Sequence, residues 1–224
     1  MKSKFHLYDA LVIACIIVPC LYLASVYASL PATVATHFGI DGKPDQTGDK
    51  STLWFVVCLL GGVSIFSYLL IRFLPKIDPK KNVQYSTATY NKIAIAVAVL
   101  VSGISCLIIR AAQVGRFEMG NMLPVLLGVF FAVMGNLMHN IKPNYFVGIR
   151  TPWTLESEET WRKTHQLAGK IWFFGGLLLA ALSFFLPAEY AFYVLMVTVA
   201  IMALIPVGYS YIYFKQLQKT NHPQ

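Results

Sequence analysis

Six apolar runs, at about residues 10–30, 53–74, 93–112, 121–138, 171–186 and 189–213, alternate with short polar connections. That alternation restricts the fold more than any other feature. A run of about 20 apolar residues is long enough to cross a bilayer as a helix. In hydrocarbon a helix has the further advantage that it satisfies its own backbone polar groups. Composition agrees, with 57% hydrophobic and 12% charged residues, where a soluble domain carries about 25% charged. The sequence predicts an all-α polytopic membrane protein with six transmembrane helices in one compact bundle. Lys2, Lys4 and the Val26-Tyr27-Ala28 triplet match the ends of a signal peptide. The run from Ala10 to Leu30 exceeds a signal core, so it is read as a retained span.

Basic residues set the orientation. Lys and Arg total fourteen on the side holding both termini and the second and fourth connections, and four on the other side. Basic residues collect on the cytoplasmic side of membrane proteins, which predicts an N-in/C-in topology. The formal charge of +8 is read this way, and not as direct nucleic-acid binding. In the second connection, Tyr85 and Tyr90 are placed as interface anchors, with membrane lipids as partners. Arg110 is placed to snorkel to the outer interface.

The expected division is 1–75, a helix pair with an outward loop at 31–52, and 76–224, a four-helix part with a cytoplasmic segment at 139–170. Pro31 stops the first helix. Residues 33–38 read as extended, Asp41-Gly42 as a tight turn, and Ser51 as a cap for the second helix. His37, Phe38, Asp41 and Gly42 are the loop's candidate contact residues. His37 with scattered aspartates lacks metal-ligand spacing and is read as a hydrogen-bonded structural histidine. Cys15, Cys20, Cys58 and Cys106 lie in apolar runs and read as small buried hydrophobes.

Hydrophobicity does not account for residues 144–170. Gly148 permits a bend, and Pro152 holds Thr151 extended and stiffens the corner carrying Trp153. Ser157 is a candidate N-cap with Glu158 and Glu159 behind it. Trp161, His165, Ala168 and Trp172 share one helical face, opposite Arg162, Lys163, Gln166 and Lys170. This predicts a cytoplasmic amphipathic helix feeding directly into helix 5. Arg150 beside Trp153 fits two roles equally, binding an acidic group or satisfying helix-end carbonyls. Gly135-Asn136 is the intramembrane polar pair, and a transmembrane Asn commonly bonds across helices. No helix centre carries an evident Asp, Glu or Lys, which argues against an acidic proton relay. No HExxH, GxSxG or phosphate loop is present, so no catalytic residue, metal or cofactor is predicted.

Gly135-Asn136, the string Asn144-Tyr-Phe-Val-Gly148-Ile-Arg150-Thr151-Pro152-Trp153-Thr154-Leu155, and Trp161 with Thr164-His165 closely resemble the signature of the SdpI family of bacterial membrane proteins. The outward loop from Leu30 through Asp41-Gly42 is similar to a small domain of unknown function that often precedes it. The resemblance implies a multi-pass immunity protein of the bacterial cytoplasmic membrane, whose partners are an extracellular peptide toxin and a cytoplasmic autorepressor. It assigns Asn144, Gly148, Arg150, Thr151, Pro152, Trp153 and Thr154 to a partner or switch surface. Trp161, Thr164, His165 and Trp172 then dock the helix. The rival readings are a membrane enzyme or small-molecule carrier using His37, Asn136 or His165, and a purely structural membrane protein.

Overall fold

The protein's computed structural model describes residues 7–39, 44–79, 86–115 and 121–221. Asp41, Gly42, Lys2, Lys4, Lys43, Lys80, Lys81, Tyr85 and Arg116, all used in the sequence reading, lie outside them. The described chain runs α1 (Leu7–Val26), β1 (Thr33–Phe38), β2 (Pro44–Asp49), α2 (Thr52–Ile77), α3 (Thr87–Val114), α4 (Met122–Met138), α5 (Pro152–Glu156), α6 (Glu158–Phe185) and α7 (Ala188–Asn221). Five helices are long and apolar enough to cross a membrane; α4, also apolar, has 17 residues.

One feature departs from the expected all-α chain, and a second bears on how its helices are divided. The loop after α1 is an antiparallel hairpin, with Thr33 opposite Asp49 and irregular register around His37. The expected extended piece is β1. Its partner, Pro44-Asp-Gln-Thr-Gly-Asp49, is poor in the β-branched and aromatic residues that mark strands. The surface helix ahead of the fifth span is also not a separate element. It and the span form one 28-residue helix, α6.

Two buried clusters sit at opposite ends of the bundle. Leu23, Leu30, Val34, Leu53, Val57, Ile109 and Ala112 join the hairpin to α1, α2 and α3. Ile71, Leu74, Tyr90, Ile93, Leu137, Ile141 and Trp161 join α2, α3, α4 and α6 at the other end. Near that second end Arg72 on α2 donates to the Asp9 carboxylate on α1 at 2.6 Å, and Tyr68 also donates to Asp9. The reading of the spans by hydropathy missed this pair, because each residue sits near a helix end and 63 positions separate them.

Helices α4 and α6 touch backbone to backbone. A Cβ on Gly135 would lie 2.7 Å from the Gly169 carbonyl oxygen, and one on Gly128 would lie 2.7 Å from that of Gly176. Glycines at seven-residue spacing on both helices therefore make the seam, as small residues do between membrane helices. Gly135 is thus a packing residue. Asn136 beside it points out of the bundle, exposed. The four cysteines are free thiols, and they too sit at the periphery: Cys58 is exposed and the others half-buried, where full burial was expected.

Ser51 does not cap α2 through its side chain; its N–H instead donates to Asp49 Oδ1 at 2.8 Å. Hydrogen bonds from Ser51 hold the exposed Asp49 carboxyl below its ordinary pKa. His37 Nδ1 lies 2.6 Å from Asp45 Oδ1, both exposed, in keeping with a hydrogen-bonded structural histidine. Among the described residues no group of three metal-ligating side chains occurs.

Candidate functional site

The segment from Ile141 to Glu156 folds as a loop and one short helix, held against α2, α3, α6 and α7 by buried polar side chains. Asn144, with no exposed surface, is its knot. Its Oδ1 accepts from the N–H groups of Phe146 (2.8 Å) and Val147 (2.6 Å), while its amide donates to the carbonyls of Lys142 (2.8 Å) and Val147 (2.9 Å). A longer bond, 3.3 Å, reaches the Tyr90 hydroxyl on α3. Asp78, buried just past α2, accepts from the Tyr145 N–H at 3.4 Å. These bonds answer the backbone groups of a loop that forms no ladder, which would otherwise cost about 1–3 kcal/mol each when buried.

Gly148 turns the chain at φ +115, and a Cβ there would run into Nε2 of His165 and lie 3.1 Å from the Trp161 ring. Glycine is required on both counts. The bend aims the Ile149 N–H at Nε2 of His165, 3.0 Å away. The other ring nitrogen, Nδ1, is 2.8 Å from the Trp161 carbonyl, which can only accept. His165 is therefore neutral with its proton on Nδ1. Its ring stacks on Trp161 at 4.1 Å, and the Trp161 indole N–H donates to the Ile141 carbonyl at 2.8 Å. Of the expected face, Trp161, His165 and Ala168 are buried, with Thr164 beside them, whereas Trp172 is half-buried.

A capping box closes the corner. The Thr151 hydroxyl accepts from the Thr154 N–H, and the Thr154 hydroxyl accepts from the Thr151 N–H at 2.9 Å, with Pro152 beginning α5. The T-x-x-T spacing carried that signal, and the sequence reading passed over it. Ser157 caps α6 as expected, accepting from the Thr160 N–H at 3.2 Å. Thr151 also meets Ser210 on α7 at 3.2 Å.

The outer rim differs in character. Arg150 is exposed and donates through Nη1 to the Tyr145 carbonyl at 2.6 Å. This satisfies a loop carbonyl in place of a helix end. Trp153 is half-buried, edge-on to Tyr211 of α7 at 4.9 Å. Trp172, further along α6, donates its indole N–H to the Met202 carbonyl at 3.0 Å. That carbonyl has no helical partner because Pro206, four residues on, lacks an N–H. Trp172 thus ties α6 to α7 at a carbonyl that the proline leaves open.

The candidate residues fall into two groups. Asn144, Gly148, Thr151, Thr154, Trp161, Thr164 and His165 are buried or enclosed by the fold, whereas Arg150, Pro152 and Trp153 reach its surface. A polar cleft lined in part by Lys142, Glu158, Arg162 and His165 opens alongside, but the His165 ring is 1% exposed and both its nitrogens are engaged.

Fold and site together define a mostly helical, multi-pass membrane protein with a latched polar segment between α4 and α6. Residues 140–210 match the SdpI/YfhL protein family, and residues 14–61 match a domain of unknown function (DUF1648). The immunity protein SdpI of Bacillus subtilis (strain 168) is 28% identical over 205 residues, covering 90% of this chain and 95% of that protein. The SdpI-family resemblance read from residues 135–165 is thereby shown. No solved structure gives a significant match.

Proposed function

We propose that the chain is an immunity protein of a bacterial cytoplasmic membrane, protecting its cell from a secreted peptide toxin. The observation that carries this is the similarity to an immunity protein along 90% of the chain, together with the family match over the latched segment. In this reading α4 is the sixth span. Both termini and residues 139–170 face the cytoplasm, a reading supported by the distribution of Lys and Arg. Residues 1–75 form a helix pair whose outward-facing loop, 31–52, carries His37 and makes first contact with the toxin. Residues 76–224 form the unit that responds.

The exposed rim, Arg150 with Pro152 and Trp153, is the surface that recruits a cytoplasmic repressor protein. Arg150 retains guanidinium N–H groups beyond the one used on Tyr145, and an Arg fork beside an indole suits an acidic, flat partner surface. The buried residues hold that rim in place. An enzyme or carrier acting at His165 or Asn136 finds less support: both nitrogens of His165 are occupied, and Asn136 faces outward.

The test is deletion in the native host, followed by challenge with that strain's own culture supernatant. Protection should fall with the deletion and return with the intact chain. The double variant Arg150→Ala/Trp153→Ala should lose partner recruitment while folded protein remains in the membrane. Unchanged survival after deletion removes the immunity reading, and recruitment that survives the double variant removes the rim from it.

A further inference from the structure

An apolar groove of about 640 Å³ runs along the outside of the bundle between α3, α4 and α6. Ala96, Val99, Val133 and Leu177 are among its walls, and Lys92 and Asn136 stand at one end. A second pocket of about 400 Å³ shares Asn136 and Phe173 with it and adds His139, Gln166 and Lys170. The two adjoin at those shared residues, so the groove is apolar along its length with basic side chains at one end. Its volume lies in the range of about 300–1,000 Å³ usual for ligand sites. Between Leu126 and Leu137 the groove follows α4 over eleven residue steps, about 16 Å at the rise of an α-helix. That is close to half of a hydrocarbon core about 30 Å thick, the depth of one leaflet.

Lys92 and Lys170 are exposed, and among the described residues neither has an ion-pair or hydrogen-bond partner. Two unneutralised ammonium groups beside an Asn amide and an imidazole complement a phosphate diester. The apolar trough below them complements an acyl chain. We infer that this groove is a specific site for one anionic phospholipid, with a chain lying between α3 and α4 and its phosphate held by Lys92 and Lys170. The site goes beyond the immunity reading. Its assignment to the inner leaflet rests on the orientation proposed above, but its existence does not.

The test uses the full chain, purified and reconstituted with equal amounts of phosphatidylglycerol and phosphatidylcholine, then released gently and weighed by native mass spectrometry. The intact protein should retain one phosphatidylglycerol in preference to phosphatidylcholine by about tenfold or more, the scale that two lysines beside an anionic headgroup provide. Lys92→Gln/Lys170→Gln should abolish the preference. Val133→Trp, at an exposed position in the groove wall, should lower retention of both lipids while the melting temperature holds. Equal retention of the two lipids by the intact protein would mean annular lipid only and would overturn the site. So would a preference that survives the double lysine variant, or a co-purifying peptide that occupies the groove in place of lipid.

Discussion

The N–H of Ile149 donates to Nε2 of His165 over 3.0 Å, across sixteen positions of sequence. This bond couples the bend at Gly148 to α6, because the ring that accepts it is also stacked on Trp161 and bonded to that residue's carbonyl. A loop tied within itself by Asn144 is thus also fixed to a helix.

Gly148→Ala tests that coupling. The new methyl group needs a residue other than glycine at φ +115 and collides with the His165 ring. The backbone strain alone costs about 1–3 kcal/mol. The melting temperature of the detergent-solubilised protein should drop, and Trp161 fluorescence should report a wetter indole. A variant that melts with the parent would show that the loop does not depend on this bend.

Trp172 and Pro206 should behave as a pair. Trp172→Phe leaves the Met202 carbonyl without its donor, a loss of about 1–3 kcal/mol for a buried group. Pro206→Ala returns a backbone N–H four residues beyond Met202, so in that background Trp172→Phe should cost distinctly less. Thermal melts of the two single variants and the double measure the coupling. Strict additivity would contradict it.

At the α4–α6 seam, Gly135→Val has no side chain to push aside. Its Cβ would meet backbone, at 2.7 Å from the Gly169 oxygen and 2.9 Å from the Phe173 Cα. The helices must separate, with an overpacking cost of about 1–3 kcal/mol or more. Asn136→Val, one residue on and exposed, should change the melt by no more than about 0.5 kcal/mol. Equal effects at the two positions would argue against the seam.

The hairpin between α1 and α2 carries a pH dependence. Ser51 hydrogen bonds hold the Asp49 carboxyl below its ordinary pKa. A depressed folded value means that this contribution is full above the ordinary carboxylate range and is lost as pH falls through the folded value. The Ser51 amide should lose protection from hydrogen exchange only on acidification below the ordinary carboxylate range. Asp49→Asn should flatten that dependence.

Much of this architecture was legible in the sequence, and the limits have physical causes. Apolar run length located the helices because a bilayer imposes one dimension on them all. Gly148, Ser157 and the Trp161–His165 face were readable because each rests on local geometry or a single helical period. The Asp9–Arg72 bond was not, since pairing distant helix ends is a property of the assembled bundle. Gly135 looked like part of a polar motif, and only its contact with Gly169 shows it to be a place where two backbones meet. Asn144 belonged to the signature without a visible reason; burial and five hydrogen bonds supply one.

Glu158–Phe185 being one helix has a mechanical consequence. About 27 Å of stiff rod separates Glu158 from the Gly176 crossing. If that crossing is a pivot, a tilt of about 10° there sweeps the Glu158 end through about 5 Å, as a lever arm on a fulcrum. His165 and Trp161 ride on that arm, and the loop bonded to them travels with it.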